Sequence, residues 1–304
     1  MALTGSFSGR SFPRIRACLF DMDGLLLDTE DIYTKCTNII LERYGKPNLP
    51  WPIKARLQGR PGPAATKIFF DWADLPIDQD EYTRQNTILQ AQEFPSTRPL
   101  PGVADLLASL GRTRYYNLKE GEDPTKRVHI ALATSSHEAN FRVKTNHLTD
   151  LFSVFPTNRR VLGDDTRLQA GRGKPLPDIF LLALKTINDS LPAGEEPIKP
   201  EECLVFEDSV PGVEAGRRAG MRVIWCPHPE LKKVYAGREG EILAGRMGEA
   251  GEIDMHQVGE LDDGWAEYLP ALEDFPYAKF GIEIPPASVE EEDVMKNDNG
   301  LTAV

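Results

Sequence analysis

Short apolar runs recur along the chain, and three of them stop abruptly at polar residues. Residues 15–20 end at Asp21-Met22-Asp23-Gly24, residues 128–133 at Thr134-Ser135-Ser136, and residues 203–206 at Glu207-Asp208-Ser209; a fourth run, 222–225, precedes Cys226-Pro227. Runs this short, without polar alternation, predict strands buried on both faces, as in a parallel sheet. Between them lie stretches with helical spacing: 103–110, 137–147, 177–188 with Pro177 at the helix start, and 210–219 closed by Gly220. This alternation predicts an α/β fold around a parallel sheet.

The alternation breaks between residues 32 and 97, where helical stretches at 32–44 and 82–94 flank a middle rich in proline and glycine at 47–63. Pro99-Leu100-Pro101-Gly102 then reads as a hinge. The organisation expected is a flexible extension at 1–14, an α/β core made of 15–31 and 98–250, and an all-helical domain inserted at 32–97. Residues 117–127 read as a polar loop before the second strand. The segment 251–284 contains Trp265, Tyr268, Leu269, Leu272, Phe275, Tyr277 and Phe280, enough apolar surface to dock on the core. Residues 285–304 have the composition of a disordered tail.

Charge refines this division. The 304 residues include 47 acidic and 35 basic ones, net −12, which argues against nucleic acid as a partner. Residues 241–304 hold 16 of the acids and 3 of the bases, so the rest of the chain is close to neutral. No apolar run approaches the roughly 18 residues that suggest a membrane span. The first 16 residues lack the apolar core of a secretory signal. Cys18, Cys36, Cys203 and Cys226 lie far apart with no paired spacing, which fits buried thiols in a reducing compartment. A cytoplasmic location is therefore expected. None of the five histidines has metal-ligand spacing, and a structural role is expected for each.

In an open α/β sheet, ligands sit outside the carboxyl ends of the strands. Those ends supply Asp21, Asp23, Thr134, Glu207 and Asp208, with Lys174 just before the helix that starts at Pro177. Carboxylates gathered within about 4–6 Å repel one another unless a hard cation joins them. Mg2+, which takes oxygen ligands and keeps waters for a substrate phosphate, resolves the conflict. A carboxylate nucleophile, a second carboxyl for proton transfer, and a cation, lysine and hydroxyl to hold phosphate oxygens together suit phosphoryl transfer. Each residue alone has an ordinary reading: Thr134 as a helix cap, Lys174 as a surface lysine, Glu207 and Asp208 as caps of the next helix. The combination carries the functional one.

Four motifs in order sharpen this reading: Asp21-Met22-Asp23-Gly24-Leu25-Leu26-Leu27-Asp28-Thr29-Glu30, Ala131-Leu132-Ala133-Thr134-Ser135-Ser136, Gly173-Lys174-Pro175 with Pro177-Asp178-Ile179-Phe180, and Val205-Phe206-Glu207-Asp208-Ser209 with Gly212-Val213. Together they resemble the haloacid dehalogenase superfamily. Val161-Leu162-Gly163-Asp164-Asp165 and the Leu-Leu-Leu-Asp-Thr-Glu run are similar to its eukaryotic pseudouridine-5′-phosphatase branch. The resemblance implies a Rossmann-like core with a helical cap and an Mg2+-dependent phosphomonoesterase that works through an aspartyl-phosphate. It implies Asp21 as nucleophile, Asp23 as acid/base, and Thr134 and Lys174 as phosphate holders. Asp208 would ligate the metal with Asp21 and the Asp23 carbonyl, and Glu207 would act on the metal through water or a neighbour.

The expected substrate is a small phosphomonoester, first pseudouridine 5′-phosphate or a related nucleotide or sugar phosphate, handled by a monomer. Tyr33, Gly59 and Arg60 are candidate substrate contacts in the cap. Glycerol- and sugar-phosphate phosphatases share the motif set. A hexose phosphomutase is weakened because the β-phosphoglucomutase-like enzymes have a histidine where this chain has Tyr33. Asp23 counts against a dehalogenase. A non-catalytic regulator that binds a basic partner through the acidic C-terminus would predict decay of the catalytic set, and the set is intact.

Overall fold

The computed structural model describes residues 12–60, 62–114, 126–249 and 259–286. Most of the expected extension, most of the loop at 117–127, residues 251–258 and nearly all of the expected tail lie outside the described residues.

Six strands form one parallel sheet: β1 (Ala17–Phe20), β2 (His129–Ala133), β3 (Arg160–Val161), β4 (Cys203–Glu207), β5 (Arg222–Trp225) and β6 (Ala266–Tyr268), in the order β3-β2-β1-β4-β5-β6. The chain winds outward from β1 to β3 and then resumes at β4 on the other side of β1. The crevice where strand order reverses therefore opens between the ends of β1 and β4, the place where such sheets bind ligands. Register levels those ends, because Phe20 pairs with both Leu132 and Phe206.

Alternation along each strand builds two cores. One face buries Cys18, Phe20, Leu132, Phe206 and Ile224, and the other Leu19, Ala131, Val205, Val223 and Trp225. Helices run along the connections: α1 (Thr29–Arg43), α2 (Trp51–Leu57), α3 (Gly62–Ala73), α4 (Gln79–Glu93), α5 (Val103–Arg112), α6 (Glu138–Thr145), α7 (Thr149–Phe152), α8 (Asp178–Asn188), α9 (Val210–Arg218), α10 (Pro229–Val234) and α11 (Glu239–Leu243). Val103, Leu106, Leu107 and Leu110 of α5 cover the first face, with Phe141 and Phe152 from α6 and α7. Residues from α8 and α9 cover the second.

Helices α1 to α4 form the cap around a core of their own, with Cys36, Ile40, Leu41, Phe69, Tyr82 and Leu89 buried. The stretch at 47–63, the middle rich in proline and glycine, holds α2. Its Pro52 falls in the first turn, where no backbone N–H is required. Helix α3 is likewise additional to the two helical stretches legible in the sequence. Two strands also go beyond the four apolar runs: β3, only two residues long, and β6, which pairs with β5 from within the acidic C-terminal segment. Cys18, Cys36 and Cys203 are buried, Cys226 is half-buried, and all four are free thiols. No helix among the described residues is long and apolar enough to cross a membrane.

Candidate active site

The end of β1 is built by a tight turn. Asp21 N–H continues the ladder to the Phe206 carbonyl at 3.1 Å, Met22 drops into the core, and Leu26 and Leu27 N–H both donate to the Met22 carbonyl. Gly24 adopts φ +78, and a Cβ there would overlap the Asp208 carboxylate, so only glycine lets this turn approach β4.

At the end of β4, the Glu207 carboxylate folds back on the start of α9. Its Oε2 accepts from Asp208 N–H and Ser209 N–H, each at 3.1 Å, and from Ser209 Oγ at 3.0 Å. Ser209 Oγ in turn caps α9 by accepting from Gly212 N–H at 3.1 Å. The Asp208 carbonyl accepts from Trp225 Nε1 at 3.0 Å, which fixes the backbone behind the carboxylate.

Asp21, Glu207 and Asp208 thereby offer carboxylate oxygens that all lie within 4.8 Å of one another, all three buried. Lys174, only 1% exposed, enters from the loop before α8, pairs with Asp21 and reaches Glu207 Oε1 at 2.6 Å. Thr134 Oγ1 accepts from Ser136 N–H at 3.2 Å and keeps its own proton for donation. Asp23 has separate partners: Lys144 donates to its Oδ1 at 2.6 Å, and Ser136 Oγ to its Oδ2 at 2.5 Å.

Electrostatics separates the two N-terminal acids. Burial, reinforced by Glu207 and Asp23 and opposed by Lys174, pushes Asp21 up to about 7. For Asp23, burial also acts upward, but Lys144 and Ser136 outweigh it and hold the carboxyl below its ordinary value. Asp208 is raised well above the carboxylate range by burial, then by Glu207 and Asp21. Five acids meet here, Asp21, Asp23, Glu30, Glu207 and Asp208, against Lys54, Lys144 and Lys174. The upward shifts of Asp21 and Asp208 reflect carboxyls crowded together in a buried place, a conflict that a hard cation between them relieves. An all-oxygen, multiply charged donor set fits such an ion.

The cap lies closed on this cluster. Gln58 donates through Nε2 to Asp208 Oδ2, while its buried Oε1 has no hydrogen-bond partner among the described residues. A Cβ on Gly59 would overlap the Ser209 side chain. Trp51 of α2 stacks on His228, centroids 4.5 Å apart.

Of the three cap residues singled out in the sequence, Tyr33 reaches the site by accepting from Lys144 at 2.6 Å. Arg60 instead donates to the Arg56 carbonyl and pairs with Glu249. Lys144, Gln58 and Lys54 belong to none of the four motifs, and Glu30 closes the first of them without a role assigned from the sequence. The one available signal for Lys144 was its spacing of three from Phe141 in a predicted helix, which puts both on one face.

Comparison with known proteins identifies the family. The family model of the haloacid dehalogenase-like hydrolases matches residues 15–220. A probable pseudouridine-5′-phosphatase of Saccharomyces cerevisiae is 42% identical over 268 residues, covering 88% of this chain and 98% of that protein. The mitochondrial (DL)-glycerol-3-phosphatase 1 of Arabidopsis thaliana is 34% identical over 74% of this chain and 68% of its own length. Among solved structures, CbbY from Rhodobacter sphaeroides in complex with phosphate shares the fold at 23% identity and a TM-score of 0.54, over 71% of this chain and 88% of that one. The chain belongs to the haloacid dehalogenase-like hydrolases and is a phosphatase of that family, a phosphoric monoester hydrolase.

Proposed function

We propose that the protein is an Mg2+-dependent phosphomonoesterase that works through an aspartyl-phosphate on Asp21, with pseudouridine 5′-phosphate or a closely related small phosphate ester as substrate. The observation that carries this reading is the division of labour at the switch point. Asp21 sits with Lys174, Glu207 and Asp208, while Asp23, two residues on, is held by a separate set of donors.

Asp21 attacks phosphorus, forming an O–P bond as the ester P–O bond breaks. The leaving oxygen takes a proton from Asp23, which acts as general acid through its protonated form, a minority species because Lys144 and Ser136 favour the carboxylate. Asp23, now a carboxylate, then removes a proton from water as it attacks the aspartyl-phosphate. Inorganic phosphate leaves and Asp21 is restored. Lys174 and the Thr134 hydroxyl hold phosphoryl oxygens through both displacements. Mg2+ bound by Asp21, Asp208 and the Asp23 carbonyl would offset the charge of the carboxylates and phosphate in the transition state. Glu207 fixes Lys174 and the α9 start, and so sets the geometry of its neighbours. The closed cap excludes bulk water, and Gln58 Oε1 offers the leaving group an acceptor.

The reaction is tested with Asp21→Asn in the presence of Mg2+ and p-nitrophenyl phosphate. Complete loss of turnover is expected, and hydrolysis at the wild-type rate would refute the covalent route. The substrate is tested by kcat/KM across phosphorylated nucleosides, sugars and polyols. Pseudouridine 5′-phosphate is expected to lead the panel. A lead for glycerol 3-phosphate, as the name of the Arabidopsis relative suggests, would replace the substrate and leave the mechanism standing.

A further inference from the structure

Lys144 is 0% exposed, although it lies on a helix with no motif residue. Its ammonium has three N–H bonds and meets three acceptors: Asp23 Oδ1 at 2.6 Å, Tyr33 OH at 2.6 Å and Ser136 Oγ at 2.8 Å. The rings of Tyr33 and Phe94 lie 4.7 and 4.6 Å from the nitrogen. Burying an ammonium is costly unless it is fully paired, and a purely packing role at this point would suit an apolar side chain.

The three partners come from different parts of the chain. Asp23 belongs to the turn after β1, Ser136 to the turn after β2, and Tyr33 to α1, through which the chain enters the cap. Phe94 stands where the chain leaves it. The exit is tied to the same helix end, since Thr97 Oγ1 donates to the Lys144 carbonyl at 2.9 Å and His147 Nε2 meets the Thr97 carbonyl at 2.8 Å. Both connections between cap and core therefore touch the C-terminal end of α6.

Hydrogen-bond direction follows from chemistry. Lysine can only donate, so Ser136 Oγ accepts from it and has its proton left for Asp23 Oδ2. One ammonium thus makes one contact of the Asp23 carboxylate and orients a second, beside the hydrogen bond that Thr29 also gives it.

We infer that Lys144 is a positioning residue of the reaction, seating Asp23 for proton transfer and linking that seat to the cap through Tyr33. This rests on the acid/base reading of Asp23. When the cap turns about its two connections, Tyr33 and Phe94 shift against the ammonium, and the aim of Asp23 shifts with them.

The test compares Lys144→Met, Tyr33→Phe and Asp23→Asn with wild type, on p-nitrophenyl phosphate and on the best alkyl phosphate of the substrate panel. An alkoxide leaving group needs a proton and p-nitrophenolate does not, so misplacing Asp23 lowers the alkyl rate selectively. For Lys144→Met, kcat on the alkyl ester is expected to fall by about 10²-fold or more, with a much smaller fall on the aryl ester and KM little changed. Tyr33→Phe should shift the same ratio in the same direction by about tenfold or less, and it carries the test alone if Lys144→Met does not fold. A folded Lys144→Met, or failing that Tyr33→Phe, with the wild-type alkyl-to-aryl ratio overturns the inference. If Asp23→Asn also leaves the ratio unchanged, the acid/base reading falls with it. If Asp23→Asn collapses the ratio and the other variants do not, that reading stands and only the role of Lys144 is lost.

Discussion

A Cβ added to Gly212 would land on the Glu207 carboxylate, so the seat of that acid is shaped by a missing side chain. Gly212→Ala should push Glu207 away from Lys174 and from the Ser209 N–H without disturbing the chain fold. Groups that hold metal ligands in place typically matter about 10–100-fold for metal affinity or activity when removed. The Mg2+ concentration for half-maximal activity is expected to rise by that order, with an unchanged far-UV circular dichroism spectrum; an unaltered Mg2+ titration would contradict this account. Gly212 also shows what a sequence discloses about a site. The acids at the strand ends are legible because each follows an apolar run, and the sheet register alone brings Asp21, Glu207 and Asp208 to one crevice. Lys144 and Gln58 are not legible, because a lysine in an amphipathic helix or a glutamine beside glycine looks like any surface residue. Only the closure of cap on core turns them inward.

Strands and helices were readable to the extent that burial left a mark on them. β1, β2, β4 and β5 are interior and buried, with polar residues only at their ends (His129, Glu207 and Arg222), whereas β6 (Ala-Glu-Tyr) is a half-exposed edge held by main-chain pairing, with Leu269 N–H donating to the Trp225 carbonyl at 2.9 Å. Main-chain pairing leaves no trace in residue type, and the same holds for the two residues of β3. The first residue of β2 is an exception within its strand, a buried histidine where an apolar residue is the norm. Arg159 Nη1 stands 3.0 Å from His129 Nδ1, and Glu195 Oε1 2.6 Å from Nε2. A guanidinium only donates, so Nδ1 accepts and the proton sits on Nε2, facing the carboxylate. Burial first, with Arg159 and Arg127 adding to it and Glu195 opposing, lowers His129 to about 4. Between pH 6.5 and 4 the unfolded chain therefore takes up a proton that the folded chain refuses. This contribution to stability is complete above about pH 6.5 and shrinks as the pH falls, by about 3 kcal/mol in all. Urea midpoints for wild type and His129→Gln at pH 7.5, 5.5 and 4.5 check it: the wild type should lose more stability on acidification, and parallel curves would rule the histidine out.

The net charge of −12 is segregated, and the acidic C-terminal segment is nonetheless part of the fold. From it, Leu272, Phe275, Phe280 and Ile282 are buried in the same cluster as Phe20 and Phe206 of the central strands. Phe275 stacks on Phe280 at 5.1 Å, and Ile15 N–H donates to the Phe280 carbonyl at 3.0 Å. Charge helps to attach the segment, since Arg217 pairs with Asp263 and Arg222 lies between the rings of Phe12 and Phe280. Gly102, the hinge residue leaving the cap, has φ +80 and packs against the backbone of Leu272 and Glu273, where a Cβ would overlap. The segment thus closes one face of the sheet and braces one of the two cap connections. Removing a buried phenylalanine typically costs about 3–5 kcal/mol, a large share of the roughly 5–15 kcal/mol that keeps a domain folded. Phe275→Ala is expected to lower stability by about that amount in urea denaturation, with kcat/KM at 25 °C near wild type, because the side chain is not among the contacts of Asp21, Asp23 or Lys174. Truncation after residue 258 takes away β6 and all four buried side chains together. It should give a chain with no cooperative thermal transition, whereas a truncated protein melting at the wild-type temperature would show that the sheet and its core are complete without the segment.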